Sequence, residues 1–244
     1  MNNNNWHSNL NLSVRRKIGR AISDFNLIND GDKILIGLSG GKDSLLLLHA
    51  MDEFSKRSPV KFDFAAITVK ISGMNLNELE NYCAAKNIKY YVQNSDIMEV
   101  IKIRNEKSPC SLCANIRRGI LSSFAHENNF NKLALGHSED DAVETFFLNL
   151  FQTGRAKSFK PKSFMSRTCV SIIRPLILLS ENAIIDEVKR LELPVLKTPC
   201  PYAHITKRQE MREMILNFKA NTPDICAKVI HALKNISDED SWRI

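Results

Sequence analysis

Two kinds of apolar spacing alternate along the chain. Val14, Ile18, Ala21, Ile22 and Phe25 recur at the spacing of one helical face, behind Ser13 as a cap. The polar turn Asn29-Asp30-Gly31-Asp32 then gives way to the unbroken apolar run Ile34-Leu35-Ile36, the mark of a strand covered on both faces. Further strands are predicted over 62–69, 88–93 and 132–135, and helices over 76–86, 97–101 and 113–127. Val143, Phe146, Phe147 and Leu150 supply the buried face of the next helix. Such alternation predicts an α/β fold, a parallel twisted, Rossmann-like sheet flanked by helices, with ligands at the carboxyl ends of its strands. From Asn182 onward the pattern turns helical, broken at Pro194 and Pro223. The expected division is a flexible lead-in over 1–13, an α/β domain over 14–180, and a helical C-terminal region over 181–244 packed on it.

The first strand runs directly into chemistry. Residues 34–44 read Ile-Leu-Ile-Gly-Leu-Ser-Gly-Gly-Lys-Asp-Ser, and Leu45-Leu46-Leu47-Leu48 follow at once. A strand, a glycine-hinged loop and the first turn of a helix bring unpaired N–H groups and a positive dipole end to one place, which suits an anion. Gly40 and Gly41 let the backbone close around a phosphate, Lys42 adds a point charge, and Asp43 is suited to Mg2+ bridging phosphate oxygens. A Walker loop is excluded, since Ile36 stands where its first Gly belongs and Asp43 where Ser or Thr must follow the Lys. No G-x-G-x-x-G follows the strand either. The string from Ser39 to Ser44 instead resembles the pyrophosphate loop (PP-loop) of the N-type ATP pyrophosphatases, which split ATP between its α and β phosphates.

A second constellation is Cys110-Ser111-Leu112-Cys113, with apolar Ile116, Ile120 and Phe124 after it and Cys200 much later in Thr198-Pro199-Cys200-Pro201. The pair is expected on a loop entering a helix, where it can chelate one metal centre. A redox dithiol would keep company with a thioredoxin-like pattern, which is missing from the sequence. Structural zinc wants four ligands, and three well-placed cysteines are evident. An iron–sulfur cluster can take three cysteines and leave one iron open. Cys83, Cys169 and Cys226 stand alone and read as buried, inert thiols.

With both motifs in hand, the chain resembles the tRNA 2-thiocytidine synthetase (TtcA-like) family of PP-loop enzymes. The likeness extends over Arg20 to Ser44, over Cys110 to Gly119, over Leu135-Gly136-His137-Ser138-Glu139-Asp140-Asp141-Ala142-Val143-Glu144-Thr145, and over Ile173-Arg174-Pro175-Leu176 and Pro199-Cys200-Pro201. The resemblance implies an adenine-nucleotide α-hydrolase-like fold and tRNA thiolation. ATP would adenylate a base carbonyl, at carbon-2 of cytidine, and sulfur from a 4Fe–4S cluster on Cys110, Cys113 and Cys200 would displace AMP from the base. It also implies catalytic roles for Lys42, Asp43 and Asp141. The ATP site would comprise Ser39, Gly40, Gly41, Lys42, Asp43, Ser44, Gly136, His137 and Asp141, with the strand end at Thr68 and Val69 lining the adenine pocket. A sulfur donor (a cysteine desulfurase or inorganic sulfide) and a homodimer are implied too. Some family members carry two cysteines in the late segment, whereas here Cys200 has no spare. A PP-loop thiolase acting on uridine or a small molecule, and a non-catalytic RNA- or metal-binding protein of the same fold, are the alternatives. Lysidine-type tRNA ligases share a similar loop but would not need the three cysteines.

Charge supports a polyanionic partner. The 244 residues carry a formal net charge of +7, with 43% hydrophobic residues for one substantial core. Residues 154–174 hold Arg155, Lys157, Lys160, Lys162, Arg167 and Arg174 without a single acid, with Phe159 and Phe164 interleaved. Cations of this kind contact phosphates, and aromatics stack on unpaired bases. A solvated loop is the bland alternative. Arg117 and Arg118, just after the cysteine pair, and Lys207 and Arg208, opening a late helix, are further candidates for RNA contact. No apolar run is long enough to span a membrane, and six cysteines without a secretory pattern predict a reducing cytoplasm.

Overall fold

The computed structural model describes residues 5–104, 109–196 and 207–235. Six strands form one sheet in the order β3-β2-β1-β4-β6-β5. They are β1 (Asp32–Gly37), β2 (Phe62–Lys70), β3 (Tyr90–Asn94), β4 (Lys132–Ala134), β5 (Lys162–Met165) and β6 (Val170–Ile173). Every pairing is parallel except that of β5 with β6, so β5 is an antiparallel edge. The helices are α1 (Leu12–Asp24), α2 (Lys42–Arg57), α3 (Asn77–Ala85), α4 (Ile97–Arg104), α5 (Pro109–Glu127), α6 (Glu139–Thr153), α7 (Glu181–Arg190), α8 (Lys207–Asn221) and α9 (Ile225–Lys234). Chain order reverses between β1 and β4, the neighbours at the sheet's centre. A doubly wound sheet opens a crevice at such a switch point, beyond the carboxyl ends of the strands. The glycine loop leaves β1 and the Gly136 loop leaves β4, so both motifs reach that crevice.

Ile34, Leu35 and Ile36 are wholly buried, as are Leu45 to Leu48 on α2, so the loop between them is anchored at both ends in the core. Among the described residues no helix is long and apolar enough to cross a membrane.

Several expectations need correction. The cap of α1 is Asn11, whose side-chain oxygen accepts from the Ser13 N–H and hydroxyl, so Ser13 is the capped residue. The described part of the lead-in is not core-poor. Leu10 is buried with its N–H on Glu53, and Trp6 lies edge-on to Tyr82 while its indole N–H donates to the Glu192 carbonyl at 2.9 Å. Asn11 N–H donates to Glu187, and Arg190 donates to the Asn9 carbonyl, so this segment grips the C-terminal end of α7. The basic stretch is not one loop, because it contains the β5–β6 hairpin; short, partly exposed β5 lacks the apolar run that marks β1, while β6 is mostly buried. Cys169 sits exposed in the hairpin turn with φ +55°, unlike Cys83 and Cys226, whose thiols burial pushes up to about 12 and about 11. Cys200 lies outside the described residues.

Candidate active site

A cavity of about 560 Å³ opens at the switch point. One end of it is the β1–α2 loop. Gly40 adopts φ +83°, and a Cβ there would press on the Leu196 side chain, while the Leu196 N–H donates to the Gly40 carbonyl at 2.9 Å. Only this glycine of the pair needs the left-handed region; Gly41, the N-cap of α2, has φ −78°. Ser44 Oγ donates to the Gly41 carbonyl at 2.9 Å and receives the Ser39 N–H at 3.1 Å. Its single proton being spent, Ser39 Oγ is the donor in the 3.1 Å pair between the two hydroxyls. The serines thus staple the loop shut. No side chain caps α2, so its first N–H groups are left for an anion.

The second loop closes against the first through backbone. A Cβ on Gly136 would lie 2.9 Å from the Asp43 carbonyl carbon and 3.0 Å from the Ser44 nitrogen. Glycine is required here by contact, not by dihedral angle. Helix α6 begins with a capping box, in which Ser138 Oγ accepts from the Asp141 N–H and Asp141 Oδ2 accepts from the Ser138 N–H. Asp141 therefore caps its helix and lines the cavity beside Asp43 at once. Burial, with Asp141 and Glu181 nearby, raises the Asp43 carboxyl above its usual range against the pull of Lys42. Two interacting carboxylates in one cavity suit a divalent cation with phosphate oxygens. Its neighbour Asp140 is engaged elsewhere: it accepts the Glu181 N–H at 2.6 Å and pairs with Lys219.

Lys42 does not line the cavity in this state. Its ammonium lies 3.1 Å from Asp43 and 3.0 Å from Glu181. Burial lowers its pKa, but the two acids outweigh that and hold it above the usual lysine value. Glu181 was not foreseen, because Ser180-Glu181 reads as an ordinary helix start and nothing local ties it to a distant loop. Behind it, Arg212 bridges Glu181 (3.3 Å) and buried Glu144 (2.9 Å). Arg208 meets Glu144 at 3.1 Å and the Thr145 hydroxyl at 3.1 Å, with Asp141 at 3.9 Å. Arg208, expected at RNA, is exposed while it pairs with these acids, and Lys207 is exposed near Glu210.

On the β2 side the strand alternation decides the lining. Ile67 and Val69 face the cavity, whereas Thr68 is fully buried, donating to the Leu38 carbonyl at 2.6 Å and accepting from the Tyr90 hydroxyl. Thr68 is therefore corrected to a strut between strands, and Ile67 takes its place.

The opposite wall is α5. Cys110 and Cys113 lie within its first turns rather than on a loop before it, since Pro109 is already the first residue of the helix. Both line the cavity, with Arg117 and Arg118 one turn further along the same helix. Arg117 Nε is buried and meets no acceptor among the described residues. Arg118 is held to Asn115 at 2.6 Å. Two thiols at this spacing are suited to one metal centre, and among the described residues no third ligand joins them. The third candidate, Cys200, is outside those residues.

His137, Phe159 and Arg174 link the walls. Arg174 donates to His137 Nδ1 at 3.2 Å and to the Lys160 carbonyl at 2.6 Å, and its guanidinium lies 4.7 Å from the Phe159 ring centre. Since Arg174 can only donate, Nδ1 is unprotonated. Burial and the nearby Arg174 lower the His137 pKa to about 4, so the ring is neutral. Arg174 therefore leaves the basic RNA surface assigned by sequence and becomes a buried wall residue. Arg155, Lys157, Lys160 and Arg167 are exposed, and Lys162 donates to the Asn26 carbonyl; none lines this cavity.

Comparison with known proteins agrees with this geometry. The family model described as a PP-loop domain matches residues 10–218. A tRNA-cytidine(32) 2-sulfurtransferase of Ralstonia pickettii (strain 12J) is 36% identical over 96% of this chain and 75% of its own. One from Geobacter sulfurreducens is 33% identical over 91% of this chain and 89% of its own. Among solved structures, the U34-tRNA thiolase NcsA from Methanococcus maripaludis with its [4Fe-4S] cluster superposes with a TM-score of 0.76 at 27% identity, covering 95% of this chain and 82% of that one.

Proposed function

The chain belongs to the tRNA-cytidine(32) 2-sulfurtransferase family of PP-loop enzymes, and from that premise we propose how its own residues carry out ATP-dependent tRNA thiolation. The observation that carries the proposal is the shared cavity: the phosphate loop, the second loop and the cysteine pair all open into one space.

ATP places its β and γ phosphates on the α2 N-terminus and the Ser39–Ser44 loop, with adenine against Ile67 and Val69. Asp43 and Asp141 hold Mg2+ over the phosphates, and Lys42 turns from its acids to offset charge as pyrophosphate leaves. The carbon-2 oxygen of the cytidine attacks the α phosphorus, the bond to the β-phosphate bridge breaks, and the base becomes an adenylate. Neutral His137, its Nε2–H available, is suited to donate to a phosphate or base oxygen. Arg117, whose buried Nε–H meets no acceptor among the described residues, is suited to the anionic α phosphate or to AMP as it leaves. Cys110, Cys113 and Cys200 would hold a 4Fe–4S cluster, which would supply the sulfur that replaces oxygen at carbon-2 as AMP leaves. The fit rests on two thiols at helical i, i+3 spacing in the cavity wall. The sulfur is restored by a cysteine desulfurase or inorganic sulfide, and we place the reaction in the reducing cytoplasm, in a homodimer.

Exposed Arg155, Lys157, Lys160 and Arg167, with Phe164 66% exposed at the hairpin, form the surface for tRNA phosphates and an unpaired base. Uridine is a second reading, favoured by the likeness to a U34-tRNA thiolase. One experiment separates these. Anaerobically purified protein is incubated with unmodified tRNA, ATP, Mg2+ and sulfide, and the digested tRNA is analysed by mass spectrometry. 2-Thiocytidine lost with Lys42→Ala and with Cys113→Ser is the expected result. Thiouridine would move the target to the second reading, and ATP cleavage without thiolated tRNA would overturn both.

A further inference from the structure

Among the contacts around the phosphate loop, one ion pair has no use in the chemistry just described. Lys42, which must meet a phosphate, is engaged at 3.0 Å by Glu181 Oε1. Glu181 is anchored at the first position of α7, with its backbone N–H on Asp140, and cannot follow the lysine by sliding along the chain. Its other oxygen lies 3.3 Å from Arg212, which is held from behind by buried Glu144. Glu181 therefore has two cations and Lys42 has two acids, arranged in a row: Asp43, Lys42, Glu181, Arg212, Glu144.

We propose that Glu181 and Arg212 are positioning residues forming a charge-exchange couple, in which Glu181 holds Lys42 off the phosphate site and Arg212 takes over Glu181 when a phosphate claims the lysine. The proposal rests on the assignment of Ser39–Ser44 as the phosphate site. Leaving a partly buried carboxylate unpaired is costly, and a half-buried ion pair competes directly with the incoming anion. Arg212 removes the first cost while keeping the second. The loop thus binds polyphosphate more weakly than bare Lys42 would allow, which lets pyrophosphate leave after ATP is split. Helix α8, far along the chain, becomes part of the phosphate site through this row without touching the ligand.

Opposite signs in two variants test the couple. Inorganic pyrophosphate binding with Mg2+ is measured by calorimetry on the full-length protein, with thermal unfolding as a control of folding. Glu181→Gln frees Lys42 and should tighten binding about fivefold, while Arg212→Gln leaves Glu181 to Lys42 alone and should weaken it by a similar factor. Plain long-range electrostatics gives the same two signs, so the double variant decides. In the couple, Arg212→Gln has no effect once Glu181 is Gln, whereas independent charges would add. Additivity, or weakening in both single variants, overturns the proposal. If the wild type binds no pyrophosphate, or Lys42→Ala does not weaken its binding, the phosphate-site assignment itself fails. Glu181→Gln should also slow pyrophosphate release, seen as a lower kcat with a lower KM for ATP.

Discussion

On one side of the cavity, two loops meet backbone to backbone, stapled by serine hydroxyls and backed by fully buried strands. On the other, α5 offers Cys110, Cys113 and Arg117 from a single helix surface that is mostly exposed. The phosphate wall is fixed by contacts that leave no room for adjustment, and its cations are already paired. The cysteine wall is one helix whose other face packs on the core through Ile116, Ile120 and Phe124, and its Arg117 Nε is buried without an acceptor among the described residues. Phosphate geometry is the same for every ATP, so a rigid wall serves it. On the proposed reading a metal centre and a large RNA would be admitted on the other side, which is built from side chains rather than backbone.

The contrast breaks most severely at Gly136. Gly136→Ala puts a Cβ 2.9 Å from the Asp43 carbonyl carbon, and backbone cannot yield as a side chain can. Loss of stability of about 2–3 kcal/mol and at least about a hundredfold weaker ATP binding are expected, read by thermal unfolding and equilibrium dialysis. Unchanged binding would show that the two loops are not rigidly opposed. Next, Cys113→Ser should abolish thiolation and lower bound iron while leaving ATP affinity and melting temperature within error, because this wall is not part of the phosphate frame. A matching fall in ATP affinity would merge the two walls into one unit.

A pH series probes their junction. His137 and His49 both sit near 4 in the folded protein, lowered chiefly by burial, against a usual value of 6.5. The unfolded chain therefore binds protons first. The stability these neutral rings contribute is complete above about pH 6.5 and is lost progressively as pH falls toward 4. Asp43 and Glu144, raised by burial, act in the opposite sense, so the informative quantity is a difference. Between pH 7 and 5 the melting temperature of His137→Gln should fall less than that of the wild type; parallel curves would mean that His137 protonates without penalty. The smallest effect is expected at Arg117→Gln: a few-fold loss in kcat at unchanged ATP affinity, measured by steady-state kinetics.

The phosphate wall was legible in sequence because its parts are contiguous. Ser39 to Ser44 lie between two apolar runs, and Gly136 to Asp141 follow a strand. The cysteine pair was legible too, though its place inside α5 was not, because a proline before a cysteine pair reads as loop until it is seen as a helix start. Glu181, Arg212 and Glu144 escaped because each looks like an ordinary surface charge on its own helix, and only the tertiary fold sets them in a row. Thr68 was misassigned for a simpler reason. Sequence located the strand end, but the two-residue alternation of side chains sets Val69 and Ile67, not Thr68, toward the cavity. The β5–β6 hairpin was hidden by its own basicity, since the charges that mark a contact surface also mask a short edge strand.

Helix α7 can be viewed as a strut. Its ten residues span about 15 Å, from Glu181 beside the phosphate loop to Arg190 at the far end. That far end is clamped by the start of the described chain, through Asn9, Asn11 and the Trp6 indole on Glu192. A strut clamped at one end does not swing freely when its other end is released. When Lys42 leaves Glu181, the recoil must go sideways into Arg212 and α8 rather than along α7. Loosening the clamp, as by Trp6→Ala, would turn the strut into a pivot and let the recoil dissipate before it reaches α8.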